Sequence, residues 1–298
     1  MSDAGTHSPE SLDGLVTEAG GAADADYELR STEELVELMG AASADVPAAV
    51  QSSSAAIARA IDAIVERMAA GGRLVYAGAG TSGGLAALDA EECMATFSTP
   101  PGQVLALTAE SEGAEDDRDG GAAAAGAARI SSADAVVGIS ASGRTPYVLG
   151  AVQAAADAGA LTIALVCVPD SELAQLADHV VAVVVGPEFI AGSTRLKAGT
   201  AQKLVLNAIS TIAMIRLGKT FGNLMVDVAA ANEKLCARVH RIVRTATGAS
   251  PDEVDDALDA AGGEAKVAIV SLLAEVDAGT ARARLREAND NVRSALSS

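Results

Sequence analysis

The sequence predicts an α/β protein: a five-stranded parallel sheet sandwiched between two layers of helices, preceded by a helical segment and followed by a small helical bundle. Two observations predict it. Short, near-continuous apolar runs recur at 74–77, 104–107, 135–139, 162–166 and 180–185, the pattern of strands buried on both faces. Between them lie helical stretches at 83–94, 146–158 and 171–177, and strands alternating with helices build parallel sheets with both faces covered. A third observation concerns the ends of these strands. Two of them run straight into turns rich in glycine and hydroxyl groups, where open α/β sheets hold their ligands.

Taken in order, residues 1–30 are rich in Gly, Ala, Asp and Ser and are expected to be a mobile segment. Ser31 followed by Glu34 fits a capping box that opens a helix. A second helix is expected over 46–70, with Ile57, Ile61, Ile64 and Met68 on one face and Gly71-Gly72 as its stop. After the five strands, a long helical stretch is expected over 200–247, broken by Gly248-Ala249-Ser250-Pro251. Three short helices at 252–260, 264–274 and 277–285 would then form the bundle. The expected domains are the segment 1–30, a phosphate-binding α/β unit with flanking helices over 31–247, and the helical unit 248–298.

Composition narrows the function. The 298 residues carry 21 basic and 40 acidic side chains, a net charge of −19. A phosphate backbone would be repelled overall, which argues against a nucleic-acid binder. No run approaches the roughly 18 apolar residues of a membrane helix, and the polar, acidic start is unlike a signal peptide. Half of the residues are apolar but only 2% are aromatic, so the core is built from Ala, Val, Leu and Ile. Cys93, Cys167 and Cys236 are widely spaced and odd in number, the usage of a reduced, cytoplasmic protein. His7, His179 and His240 show no ligand spacing, and no metal or cofactor is expected.

The chemistry concentrates in the two turns. Gly78-Ala79-Gly80-Thr81-Ser82-Gly83 follows the first strand, and Ser140-Ala141-Ser142-Gly143-Arg144-Thr145-Pro146 follows the third. Each offers close backbone approach, hydroxyl donors and the free N–H groups of a helix start, which together favour a phosphate; Arg144 adds a cation. Gly80, Thr81, Ser82, Ser140, Ser142, Gly143, Arg144 and Thr145 are therefore candidate binding residues. The first turn is neither a dinucleotide fingerprint, since Leu107-Thr108 stands where the ribose-binding acid belongs, nor a P-loop, since no Gly-Lys-Ser/Thr follows. Glu188, Ser193 and Lys197, in the polar loop after the fifth strand, are read as a further wall of an anionic pocket or as a dimer contact. Acidic groups follow the first turn's helix (Glu91, Glu92) and the second strand (Glu112, Glu115), and paired carboxylates beside a sugar phosphate suit acid–base work.

These residues resemble the N-acetylmuramic acid 6-phosphate etherases, which carry a sugar isomerase (SIS) domain. The resemblance rests on the two turns, on Leu88-Asp89-Ala90 with Glu92-Cys93, and on Val185-Gly186-Pro187-Glu188. It is carried further by the string from Gly192-Ser193-Thr194-Arg195-Leu196-Lys197 to Gln202-Lys203-Leu204-Val205-Leu206-Asn207, and by Gly222-Asn223-Leu224-Met225-Val226-Asp227-Val228. It covers residue 12 onward. It implies an SIS-type fold, a homodimer with its site near the subunit interface, and no metal. It also implies a lyase reaction releasing D-lactate and N-acetylglucosamine 6-phosphate, with Glu92 as the acid and Glu115 as the second carboxylate. Glu112, one turn earlier, is the alternative to Glu115. The two acids would need different protonation states, so Glu92 is expected in the drier setting. The chain departs from the family pattern at Gly84, Glu91, Met94-Ala95, Val168 and Thr17-Glu18-Ala19-Gly20-Gly21. Two other readings share the phosphate turns: an SIS-type isomerase or lyase for a related sugar phosphate, and a non-catalytic sugar-phosphate-binding regulator.

Overall fold

The computed structural model describes residues 26–109, 111–228 and 233–297. Residues 1–25 of the expected N-terminal segment, with the departures at 17–21, lie outside them. The chain enters through α1 (Thr32–Ser43), whose N-cap is the expected capping box: Ser31 accepts from the Glu34 amide while Glu34 bonds back to the Ser31 backbone. The single helix expected over 46–70 is two, α2 (Val46–Ser52) and α3 (Ser54–Ala69). The break falls at Ser53, whose hydroxyl bonds across to the Ala182 carbonyl at 2.7 Å.

Five strands follow: β1 (Leu74–Gly78), β2 (Val104–Thr108), β3 (Ala135–Ile139), β4 (Leu161–Val166) and β5 (His179–Ala182). They form one parallel sheet in the order β2-β1-β3-β4-β5. Side chains alternate across it as a pleat demands. Leu74, Tyr76, Val137, Ile139, Ile163 and Leu165 face a core shared with α3, α4 (Gly80–Phe97) and α8 (Lys197–Arg216). Val75, Ala77, Val136, Ala164 and Val166 face a second core beneath α6 (Pro146–Asp157) and α7 (Glu172–Leu176). Completing that layer is α5 (Arg118–Ala127), a helix that goes unannounced because its Ala and Gly residues carry almost no periodic signal. The fifth strand is shorter than the apolar run over 180–185. Its neighbour β4 ends at Val166, so the ladder ends as well, although Val183 and Val185 stay buried in the first core.

The helix expected over 200–247 is also interrupted. Gly218 takes φ +76° and stops α8, and Gly222-Asn223 turns a hairpin between β6 (Thr220–Phe221) and β7 (Leu224–Met225). A Gly-Asn pair between apolar residues is a hairpin signal that the helical reading passed over. After the hairpin come α9 (Glu233–Thr247), α10 (Pro251–Ala260), α11 (Ala265–Ala274), α12 (Ala278–Glu287) and α13 (Val292–Ala295). Their apolar core includes Val226, Val228, Val239 and Val243, with Phe221 and Leu224 packed against it, so it reaches back well before Gly248. Among the described residues no helix is long and apolar enough to cross a membrane.

Candidate functional site

The strand order reverses between β1 and β3: the chain moves outward to β2, then returns to the other side of β1. Ligands of such sheets bind at this switch point, beyond the carboxyl ends of the strands. Both glycine-rich turns leave from it. Gly78 and Ile139, the last residues of β1 and β3, are register partners, so the sequence-separated turns stand side by side.

In the first turn Gly80 has φ +51°, a conformation that glycine tolerates and L side chains rarely adopt. A Cβ there would meet Glu115 Oε1 at 2.7 Å. The half-buried Glu115 is thus pressed against the start of α4, and its own carbonyl accepts the Tyr147 amide of α6 at 3.0 Å. No side chain caps α4, whose first amides and dipole point toward the switch point. Thr81 is exposed and packs toward Gly199, while Ser82 Oγ donates to Gln202 Oε1 at 2.9 Å.

The second turn is a knot of hydroxyls. Ser140 Oγ accepts the Gly143 amide at 3.0 Å and lies 2.8 Å from Thr145 Oγ1, and Ser142 Oγ accepts the Arg144 amide at 3.3 Å. Gly143 has φ +67°, and a Cβ there would sit 2.1 Å from Ser171 Oγ. The Ser171 hydroxyl is buried and has no hydrogen-bond partner among the described residues. Arg144 is exposed at the rim.

The loop before α8 serves a different purpose. Glu188, 1% exposed, accepts the amides of Lys197 and Ala198 through its two oxygens at 2.8 and 2.9 Å. It caps α8, much as an anion would bind a helix start. Lys197 Nζ donates to the Pro187 carbonyl at 2.9 Å. Both side chains are thus engaged in holding α8 in place, and Ser193 lies in the same loop, half-buried.

Glu92 lies further along α4. Its carboxylate is 51% exposed and bonds Lys203 Nζ of α8 at 2.7 Å. The expectation of a drier Glu92 is reversed in the single chain: Glu115 is the more enclosed of the two, because Glu92 sits at the rim of the α4–α8 seam. The helix is unbroken from Gly80 to Phe97, so Glu92 stands about 18 Å of helix rise beyond Gly80. Within one chain the turns and Glu115 come together, and Glu92 stands apart. Beside Glu92 opens a cavity of about 470 Å³ lined by Asp89, Phe97, Asn207, Ile215, Asn223 and Met225, among others.

One turn before Glu92, Asp89 is 1% exposed. It accepts from Tyr76 Oη at 2.7 Å and from Ser210 Oγ at 3.1 Å. Burial pushes its pKa up, while the Tyr76 and Ser210 hydrogen bonds and the nearby Lys203 charge pull it back. Burial, then the Asp89 charge, drives the Cys93 thiol up to about 12, and burial with Glu188 does the same for Cys167; both are inert packing groups. Sequence reasoning missed Gln202, Lys203 and Asp89. Their presence in the strings that carry the resemblance, and the density of polar residues on one face of α8 beside the α4 acids, were the signals available.

Comparison with known proteins shows the family and the fold. The SIS domain family matches residues 67–212. An N-acetylmuramic acid 6-phosphate etherase of Rubrobacter xylanophilus is 55% identical over 295 residues, covering 96% of this chain and 97% of that protein. The Streptomyces coelicolor protein of the same name is 54% identical and covers 96% of this chain and 94% of its own length. Among solved structures, a phosphoheptose isomerase from Francisella tularensis shares the fold, with a TM-score of 0.52 at 19% identity over 62% of this chain and all of that one. The chain belongs to the N-acetylmuramic acid 6-phosphate etherases, a family of lyases that cleave a carbon–oxygen ether bond on an SIS-type fold.

Proposed function

We propose that this protein cleaves the D-lactyl ether of N-acetylmuramic acid 6-phosphate to N-acetylglucosamine 6-phosphate and D-lactate, in the cytoplasmic recycling of cell-wall sugars. The observation that carries the reading is the pairing of two uncapped, hydroxyl-lined turns at the switch point with the Glu115 carboxylate set against one of them. The turns grip the phosphate. The opened sugar's aldehyde acidifies the proton at C2, and the Glu115 carboxylate removes it. The electron pair forms the C2–C3 double bond, the C3–O bond breaks, and a protonated Glu92 gives its proton to the departing lactate oxygen. Water then adds to C3 and returns a proton to Glu92, while Glu115 returns its proton to C2. Each acid–base role is worth roughly 10²–10⁴-fold.

The spacing along α4 supports a division of the two acids between copies. About 18 Å of helix rise separates Gly80 from Glu92, too far for both acids of one chain to flank a single carbon–carbon bond. We infer a homodimer in which the turns and Glu115 of one copy work with Glu92 of the partner subunit. The exposed apolar side chains Leu88 and Met94 on α4, and Leu204, Ile212 and Ile215 on α8, supply a surface for it.

The test is release of D-lactate, in equal amount with N-acetylglucosamine 6-phosphate, from the sugar phosphate. Sugar-phosphate binding without lactate release would instead indicate a regulator. The Glu92→Gln variant is expected to lose roughly 10²–10⁴-fold in kcat while still binding the product sugar phosphate; unchanged turnover would remove Glu92 from the mechanism. Mixing Glu92→Gln with Glu115→Gln should restore activity in the hybrid dimers, each of which keeps one intact composite site. Ser142→Ala should chiefly weaken sugar-phosphate binding, and an unchanged affinity would count against the cradle.

A further inference from the structure

We propose that Lys203 is the specificity residue that recognises the carboxylate of the substrate's lactyl group; the proposal rests on the etherase reading above. Lys203 Nζ is bonded to Glu92 at 2.7 Å, and its side chain is 27% exposed, so its stem is held in the α4–α8 seam while its ammonium reaches the rim. The proposed chemistry requires Glu92 to contact the ether oxygen. In a lactyl ether the carboxylate is bonded to the same carbon that bears this oxygen. A cation within hydrogen-bond distance of Glu92 is therefore within reach of the lactyl carboxylate.

The surroundings favour Lys203 over any other partner. The protein carries a net charge of −19, so a second anionic group on the substrate needs a cation of its own. Arg144 stands at the phosphate turn, and Lys197 is turned to the Pro187 carbonyl. Among the described residues bordering the cavity beside Glu92, the charged ones are Asp89 and Glu92 themselves. The two oxygens of Asp89 accept from Tyr76 and Ser210, so Lys203 has Glu92 as its exchangeable partner. Phe97, Ile215 and Met225 line the cavity for the lactyl methyl group, and Asn207 and Asn223 offer amides beside it.

On this arrangement the substrate carboxylate replaces the Glu92 carboxylate on Lys203. The freed Glu92 then sits next to the ether oxygen, no longer tied to an ammonium, and takes from solvent the proton it must deliver. Apart from that proton, only hydrogen bonds change in this exchange, and the subsequent elimination is the one already written. Because Lys203 and Glu92 belong to the same seam, the exchange holds whichever copy supplies the phosphate turns.

The experiment compares Lys203→Met and Lys203→Arg with the unaltered enzyme, measuring kcat, KM and product inhibition by D-lactate and by N-acetylglucosamine 6-phosphate separately. Losing a charge-assisted hydrogen bond should raise KM and the D-lactate inhibition constant about 10- to 100-fold in Lys203→Met. Inhibition by the sugar phosphate should stay near its original value, which also certifies that the variant is folded. Lys203→Arg should recover most of the D-lactate affinity. A fall in kcat with unchanged D-lactate inhibition would overturn the proposal and leave Lys203 as a positioning residue for Glu92. Equal weakening toward both products would overturn it too. Absence of lactate release from the unaltered enzyme would instead bring down the etherase reading itself.

Discussion

Single residues carry much of the fold's electrostatic order. Asp134, 2% exposed, receives the Arg73 guanidinium at 2.8 Å, the Arg73 amide at 3.0 Å and the Ser131 amide at 3.0 Å. It ties the entry of β1 to the entry of β3, behind the paired turns. Burial raises its pKa, but the Arg73 hydrogen bond and the Ser131 and Arg73 amides outweigh burial and leave it lowered from 3.8. A carboxyl whose folded pKa is depressed stabilises the protein above its unfolded pKa, and that stability is lost as pH falls through the folded value. Asp134→Asn should therefore cost about 2–3 kcal/mol at neutral pH. The gap to the unaltered protein should begin to narrow as pH falls past about 4, the unfolded pKa, and close only below the lower folded value. Denaturant unfolding at both pH values checks this, and a gap independent of pH would contradict it. At this scale the sequence was partly legible. Gly80, Ser140 and Gly143 could be read because short-range chemistry defines a turn. Lys203, Gln202 and Asp89 could not, because their roles come from α4 meeting α8 across 111 to 121 residues of chain.

Elements are positioned by their ends. The start of α8 is closed by Glu188, whereas those of α4 and α6 carry no side-chain cap. The start of α8 is thus satisfied by a side chain, that of α6 in part by the Glu115 carbonyl on the Tyr147 amide, and that of α4 faces the switch point. In sequence the loop before α8 reads as a pocket wall or a dimer contact; folding turns Glu188 and Lys197 inward. The second turn depends on Gly143, where φ is +67° and Ser171 lies 2.1 Å from any added Cβ. Gly143→Ala should lower stability by about 2–4 kcal/mol, combining left-handed strain with overpacking, and should weaken sugar-phosphate binding more than Ser142→Ala does. Thermal unfolding and a phosphate-ester titration measure both effects; a variant with unchanged binding would show that this turn does not hold the ligand. Element type was legible wherever β-branched runs or apolar faces were strong. It failed over 118–127, where alanine and glycine give no face, and over 218–225, where glycines convert an apolar stretch into a hairpin.

The whole molecule joins an α/β sandwich, with its two cores, to a third apolar core that begins at the hairpin and runs through α13. Pairing of the two turns could be anticipated from strand alternation, but their adjacency required the strand order, since only the β2-β1-β3-β4-β5 arrangement makes Gly78 and Ile139 neighbours. The same scale carries the proposed division of the site between two copies: an unbroken α4 carries Glu92 away from the turn at its own start. Composition gave the classes to discard, and no property of a single element reveals the division of the site that we propose. The most direct measurement is a crystal structure of the protein with bound N-acetylglucosamine 6-phosphate. The account predicts the phosphate against Ser140, Ser142 and the start of α4, with Glu115 of that copy and Glu92 of the partner subunit on either side of the C2–C3 bond. A phosphate bound elsewhere, or a sugar with neither acid at C2 or C3, would contradict it.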